Sequence, residues 1–220
     1  MRAGSLISDV LPSLKTSDTD ATALRWMNEL HVDQLPIIHN HKFLGLVNEP
    51  DLIDRNTPDE IINIHNLKPD GLFVEDTDHL FEVLKLANDK NLTVIPVLNK
   101  DQNYIGSITL SRLMSYFTRE TDIAEPGGIL ILEVEARNYS VSEIARIIET
   151  NGGTILGLFA GSNPDPNLRD VTIKVNRVDL AAIIKTFLRY NYRIKETFQE
   201  EEYSHDVRDR FDSLMNYLNI

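Results

Sequence analysis

The sequence predicts an α/β (α+β) chain: two tandem βαββα units, then a ferredoxin-like βαββαβ unit. Two observations carry this. A helical stripe, a proline-bearing apolar run, a polar turn and a glycine-bearing apolar run occur twice between residues 5 and 120. After Pro126-Gly127-Gly128, residues 127–198 alternate strand-like and helix-like periodicities in six pieces.

The first copy starts at Ser17-Asp18-Thr19-Asp20, whose side-chain oxygens suit a helix N-cap. Leu24, Met27 and Leu30 follow at helical spacing. The strand Leu35-Pro36-Ile37-Ile38 comes next, then the polar turn His39-Asn40-His41-Lys42 and the strand Phe43-Leu44-Gly45-Leu46-Val47. A last helix begins near Glu49. The second copy runs from Glu75-Asp76-Thr77-Asp78 through Leu80, Val83, Leu84 and Ala87 to Val94-Ile95-Pro96-Val97-Leu98. It closes with Tyr104-Ile105-Gly106-Ser107-Ile108 and a helix near Leu110. The Asp-Thr-Asp elements lie 58 residues apart, the prolines 60 and the glycines 61, which two small insertions would explain. One copy is too small to stand alone, so the two should pack together. Between them, Thr57-Pro58-Asp59-Glu60 has the pattern of a capped first helical turn and reads as a short helix or a turn.

In the C-terminal half, Ile129 to Glu135 reads as a strand, and Ser140 or Ser142 can cap a helix carrying Ile144, Ile147 and Ile148. Asn151-Gly152-Gly153 ends it. Strands over 154–159 and 170–175 follow, then a helix with Leu180, Ile183, Ile184 and Phe187, and a strand over 192–198. Beyond this, an acidic run leads to Val207, Phe211, Leu214 and Leu218, one helical stripe. The expected organisation is a pair over 1–122 (repeats at about 5–56 and 67–120), a third unit over 127–198 and a tail over 199–220.

Composition narrows the function. The net charge of −12, with no cluster of Lys and Arg, argues against nucleic acid and anionic membrane surfaces as partners. No apolar run approaches the roughly 18 residues of a membrane span. The absence of cysteine excludes disulfides and thiolate metal sites and fits a cytoplasmic location. No phosphate-loop, nucleophile-elbow or metalloprotease motif occurs, so the chain reads as a non-enzyme. His39 and His41, two apart in a turn, are the only hint of a metal grip, and solvated turn residues are the simpler reading.

The doubled apolar-Pro-apolar strand, polar turn and glycine-bearing close over about 5–120 resemble the CBS domain, which occurs in tandem pairs. The third unit resembles an ACT domain, mainly in topology. The first resemblance implies an adenosine-containing ligand between the repeats: AMP, ADP, ATP or S-adenosylmethionine, as a regulatory ligand and not a required cofactor. It places a hydroxyl for phosphate three residues after the glycine and a carboxylate for ribose six after. Here those positions hold Asn48 and Asp51 in copy one, and Thr109 and Arg112 in copy two. Each copy keeps one half of the motif. Asn48 could still donate to phosphate, and Arg112 could bind it bidentately. Ile37, Ile38, Ile95 and Val97 are core residues first and an adenine wall second. The plainer alternative makes Asn48 and Thr109 helix caps and leaves Asp51 and Arg112 on solvated faces. The ACT resemblance implies an amino-acid site or pairing between subunits. The loop Arg137–Val141 lacks the glycine such a site uses, which favours pairing as a homodimer. With no effector domain visible, output would pass to a separate effector protein. The readings are thus a nucleotide-sensing regulator and a ligand-free dimeric adaptor.

Overall fold

A computed structural model describes residues 1–65 and 67–199. The acidic run from Glu200 and the stripe of Val207, Phe211, Leu214 and Leu218 lie outside the described residues. The chain divides into two compact units, Met1–Phe117 and Thr118–Ile220.

The first unit holds both repeats. Repeat one comprises β1 (Leu14–Lys15), α1 (Asp20–Leu30), β2 (Gln34–His39), β3 (Lys42–Asn48) and α2 (Glu49–Arg55). Repeat two comprises β4 (Val74–Glu75), α3 (Leu80–Lys90), β5 (Val94–Leu98), β6 (Tyr104–Thr109) and α4 (Leu110–Glu120). Each forms a three-stranded sheet, β1-β2-β3 and β4-β5-β6, with a parallel first pair and an antiparallel hairpin. Both hairpins carry a bulge beside the glycine, between Ile37 and Ile38 and between Val97 and Leu98.

The equivalence of the repeats differs from the one read in sequence. β1 and β4, α1 and α3, and the two prolines all stand 60 residues apart; the glycines stand 61 apart. A single extra residue in the second polar turn accounts for this. Asp18 therefore corresponds to Asp78, not to Asp76. Both do the same work: the Asp18 carboxylate accepts from the Lys15 backbone N–H at 2.8 Å, and Asp78 from that of Glu75 at 2.8 Å. They shape the strand-to-helix turn; the cap of α1 is Thr19, within the expected Asp-Thr-Asp element, and that of α3 is His79, just past its counterpart. Thr19 accepts from the Thr22 N–H at 3.3 Å, and His79 Nδ1 accepts from the Phe81 N–H at 3.3 Å. Thr57–Glu60 is a turn, closed by the Glu60 N–H on the Thr57 carbonyl at 3.1 Å.

The segment leading into each repeat packs on the other repeat. Ahead of repeat one, the Ala3 and Gly4 N–H groups donate to the Asp78 and Asp76 carbonyls, and Ser8 N–H to that of Ser107. Ahead of repeat two, the Ile62 N–H donates to the Asp18 carbonyl. The glycines sit under these straps at φ +151°, where a Cβ at Gly45 would stand 3.0 Å from Leu67 Cβ and one at Gly106 2.3 Å from Ile7 Cγ2. Ala3 and Leu6 are fully buried in the core of repeat two, and Ile62 joins that of repeat one. This crossing makes the two small repeats one folding unit.

The second unit comprises β7 (Gly128–Glu135), α5 (Val141–Thr150), β8 (Ile155–Ser162), β9 (Leu168–Val175), α6 (Ala181–Arg189) and β10 (Arg193–Phe198). Its antiparallel sheet runs β10-β7-β9-β8, the ferredoxin-like order. Alternate residues of β7 and β9, Leu130, Leu132, Val134, Val171, Ile173 and Val175, are buried with Ile144, Ile147, Ile148 and Phe187 of the helices. Ser140 is the residue that caps α5, accepting from the Glu143 N–H at 3.3 Å.

Candidate functional site

The hairpin glycines lead β3 and β6 into the N-termini of α2 and α4, and the motif positions fall at these junctions. The first unit has a cleft at each. One, about 490 Å³, is lined by Leu46, Asn48, Asp51, Arg55, Ile62 and Lys68 among others. The other, about 350 Å³, is lined by Ser8, His31, Val32, Thr93, Thr109 and Ser111 among others. Both sizes suit a small molecule.

The sequence-predicted residues divide between them. Asn48 and Asp51 line the first cleft and Thr109 the second. Arg112 is exposed and outside the lining of both. Thr109 is a helix cap, its hydroxyl oxygen accepting from the Arg112 N–H at 3.1 Å. Asn48 precedes α2 but makes no side-chain cap bond. Instead its Nδ2 donates to Asp51 Oδ2 at 2.8 Å. Ile37, Ile95 and Val97 are fully enclosed, and Ile38 packs against the core of repeat two. None of the four lines either cleft; their walls come from Leu46, Ile62 and Leu67 in one, and Leu11, Leu30 and Val32 in the other. The four serve as core, the first of the two roles expected of them.

The sequence reading missed Gln34, which holds Asn48, and Arg55, which lines the first cleft. Gln34 Nε2 donates to Asn48 Oδ1 at 3.1 Å, while its Oε1 accepts from the Thr93 backbone N–H of repeat two at 3.0 Å. Arg55 Nη2 pairs with both oxygens of Asp20, whose side chain is 1% exposed, and Thr57 Oγ1 donates to the same carboxylate at 3.3 Å. Three buried side-chain polar atoms among the described residues, Arg55 Nε, Thr93 Oγ1 and Asp76 Oδ1, have no hydrogen-bond partner; the first two belong to residues lining a cleft and the third lies outside both. Such atoms are costly in a closed core and ordinary where something else supplies the partner.

Residues 64–119 match the family model of the CBS domain. The matched segment covers the second repeat. Repeat one reproduces its element order, its bulge opposite glycine and its strand pairing. Among solved structures, the chain is similar to a CBS domain pair/ACT domain protein from Thermotoga maritima at 19% identity and a TM-score of 0.49, over 55% of this chain and 98% of that one. It is also similar to CBSX2 in complex with AMP at 21% identity and 0.47, over 54% and 97%. The cytosolic domain of the Mg2+ channel MgtE in complex with ATP is similar at 19% identity and 0.44, over 52% and 48%.

The second unit has its own pocket, about 640 Å³, at the ends of β7 and β10, lined by Glu133, Glu135, Asn138, Glu143, Tyr192 and Arg193 among others. Its carboxylates are engaged: Glu133 by Arg193 at 2.6 Å, Glu135 by Asn138 Nδ2 at 2.7 Å and Glu143 by the Tyr192 hydroxyl at 2.7 Å. Burial, then the bond to Glu143, hold the Tyr192 phenol well above its ordinary value. Tyr139, in the preceding loop, packs against the core. Among the described residues no group of three His, Asp or Glu is placed to hold a metal ion, and no helix is long and apolar enough to cross a membrane. His39 and His41 are exposed.

Proposed function

We propose that the chain is a regulatory module without catalysis of its own, that its first unit takes an adenosine-containing ligand, and that its second unit pairs with a second copy. The observation that carries the ligand reading is the coincidence of motif and cavity. Three of the four motif side chains, found by counting from two glycines, line the two clefts of the first unit. The orphaned Arg55 Nε and Thr93 Oγ1 support it. In the first cleft, the Asp51 carboxylate can accept from both hydroxyls of a ribose. In the second, the Thr109 hydroxyl keeps its hydrogen free to donate to an anion at the start of α4. AMP, ADP, ATP and S-adenosylmethionine all carry the ribosyl group this chemistry would take. The open edges β8 and β10 of the second sheet suit pairing. A ligand would bias the module by its difference in affinity for two arrangements of the repeats, and a separate effector protein would read the outcome.

A second reading, the ligand-free dimeric adaptor, is favoured by how fully the motif is used internally. Asn48 is tied to Gln34 and Asp51, Thr109 caps a helix, and Arg112 lies outside both clefts.

Thermal unfolding with AMP, ADP, ATP, S-adenosylmethionine and amino acids separates them. A ligand at 100 times its dissociation constant adds about 2.7 kcal/mol, a shift of several degrees. The expected result is a shift with an adenosine-containing ligand that Asp51→Ala or Thr109→Ala weakens. No shift with any of them overturns the ligand reading and favours the adaptor.

A further inference from the structure

Repeat two has Leu80 and Tyr116, both packed into its core, where repeat one has Asp20 and Arg55. This pair fixes one guanidinium at the wall of the first cleft. Arg55 Nη2 donates to both oxygens of Asp20, and Thr57 Oγ1 braces the same carboxylate at 3.3 Å. Drawing Nη2 away would strand a buried carboxylate, so it stays where it is. The rest of the fork is unspent. Nε is enclosed without a partner, and Nη1 makes no hydrogen bond among the described residues and is not enclosed.

This arm suits an anion better than the position the motif assigns to phosphate. That position holds Asn48, a neutral amide whose Oδ1 accepts from Gln34 and whose Nδ2 donates to Asp51. Arg55 offers a charge-assisted donor, roughly twice as strong as a neutral one. Its side chain is 29% exposed and already held, so little freedom is lost on binding. Because Asp20 balances the charge, selectivity lies in a directed donor and not in a field. Arg55 follows Asp51 by four residues on α2, and both line the cleft. One helical turn, about 5.4 Å, is comparable with the span from ribose hydroxyls to a 5′-phosphate. Lys68 adds a cation to the same lining, exposed and screened by solvent. The described lining of the second cleft holds no Lys or Arg.

We propose that Arg55, held by Asp20, anchors a phosphate in the first cleft, so that this cleft selects a phosphorylated ligand of the adenosine class over the bare nucleoside. This rests on the reading of the clefts as adenosyl sites. The test is isothermal titration of the full chain with adenosine, AMP and ATP. AMP and ATP each bind at least about tenfold more tightly than adenosine, the worth of one charge-assisted bond. In Asp20→Leu with Arg55→Met, which removes both charges together, the ratio falls to near one. Arg55→Lys keeps a cation against Asp20 but gives up the fork, and most of the preference goes with it. Equal affinity for adenosine and AMP in the native chain overturns the proposal and leaves the adenosyl reading standing. So does a preference that persists in the folded double variant, since the phosphate is then held elsewhere. Failure of all three ligands to bind overturns both.

Discussion

Replacing Gln34 probes the link between the repeats most directly. In Gln34→Ala the Thr93 N–H loses its acceptor and Asn48 loses its donor. An unsatisfied buried amide costs about 1–3 kcal/mol and a lost bond about 0.5–1.5 kcal/mol. Gln34 and Thr93 are both half-buried, so water recovers part of this, and the expected loss is about 2 kcal/mol. With a urea dependence near 2 kcal/mol per molar, the midpoint falls by about 1 M. Trp26 is the single tryptophan and packs against the core of repeat one, so its fluorescence reports this unit. Gln34→Glu tests polarity. The new carboxylate still accepts from Thr93 but offers Asn48 no donor. Asn48 must then rotate its oxygen toward Asp51, and a second negative charge arrives nearby. At neutral pH this closer isostere is no more stable than Gln34→Ala. Acid reverses the order, because the protonated carboxyl donates again. Partial burial and Asp51 raise its folded value, so its stabilisation is complete below its unfolded value of about 4.3 and is lost as pH rises through the raised one. A Gln34→Glu chain that matches the native midpoint at neutral pH, or weakens against Gln34→Ala in acid, would refute the reasoning.

Three further outcomes are expected. Arg55→Ala strands Asp20 and costs about 3 kcal/mol in the same urea assay, while Asp20→Leu with Arg55→Met recovers most of it, since Leu80 fills the matching place in repeat two. Gly106→Ala lowers the midpoint by more than Gly45→Ala, roughly 2–4 kcal/mol, because both share φ +151° but only the former drives a Cβ to 2.3 Å from the strap at Ile7. In the second unit, hydrogen bonds from Lys195 and Asn163 hold the Asp170 carboxyl below its ordinary value, so its contribution is present above about 3.9 and is lost as pH falls through the folded value. An NMR titration of Lys195→Ala should show that carboxyl moving back up.

The sequence by itself determined the local content of this protein. Period-two and helical patterns placed the strands and helices, two glycines located the cleft mouths, and the βαββαβ order implied the antiparallel sheet, because these follow from neighbours a few residues apart. The two copies were aligned two residues out of step because both carry Asp-Thr-Asp, yet it caps α1 through Thr19 and only braces the turn before α3, where His79 is the cap. The site was legible as positions and not as chemistry. Gln34 and Asp20 break the repeat where Val94 and Leu80 stand, a signal of asymmetry that names no partner. Their partners, Thr93 and Arg55, lie 59 and 35 residues away and meet them only when the repeats pack and α2 closes on α1. Tertiary structure also crossed each leading segment onto the other repeat, since neither small core can be completed by its own chain. The motif spacing marked the two strand-to-helix junctions, and the packing of two unequal repeats decided which side chains meet at each.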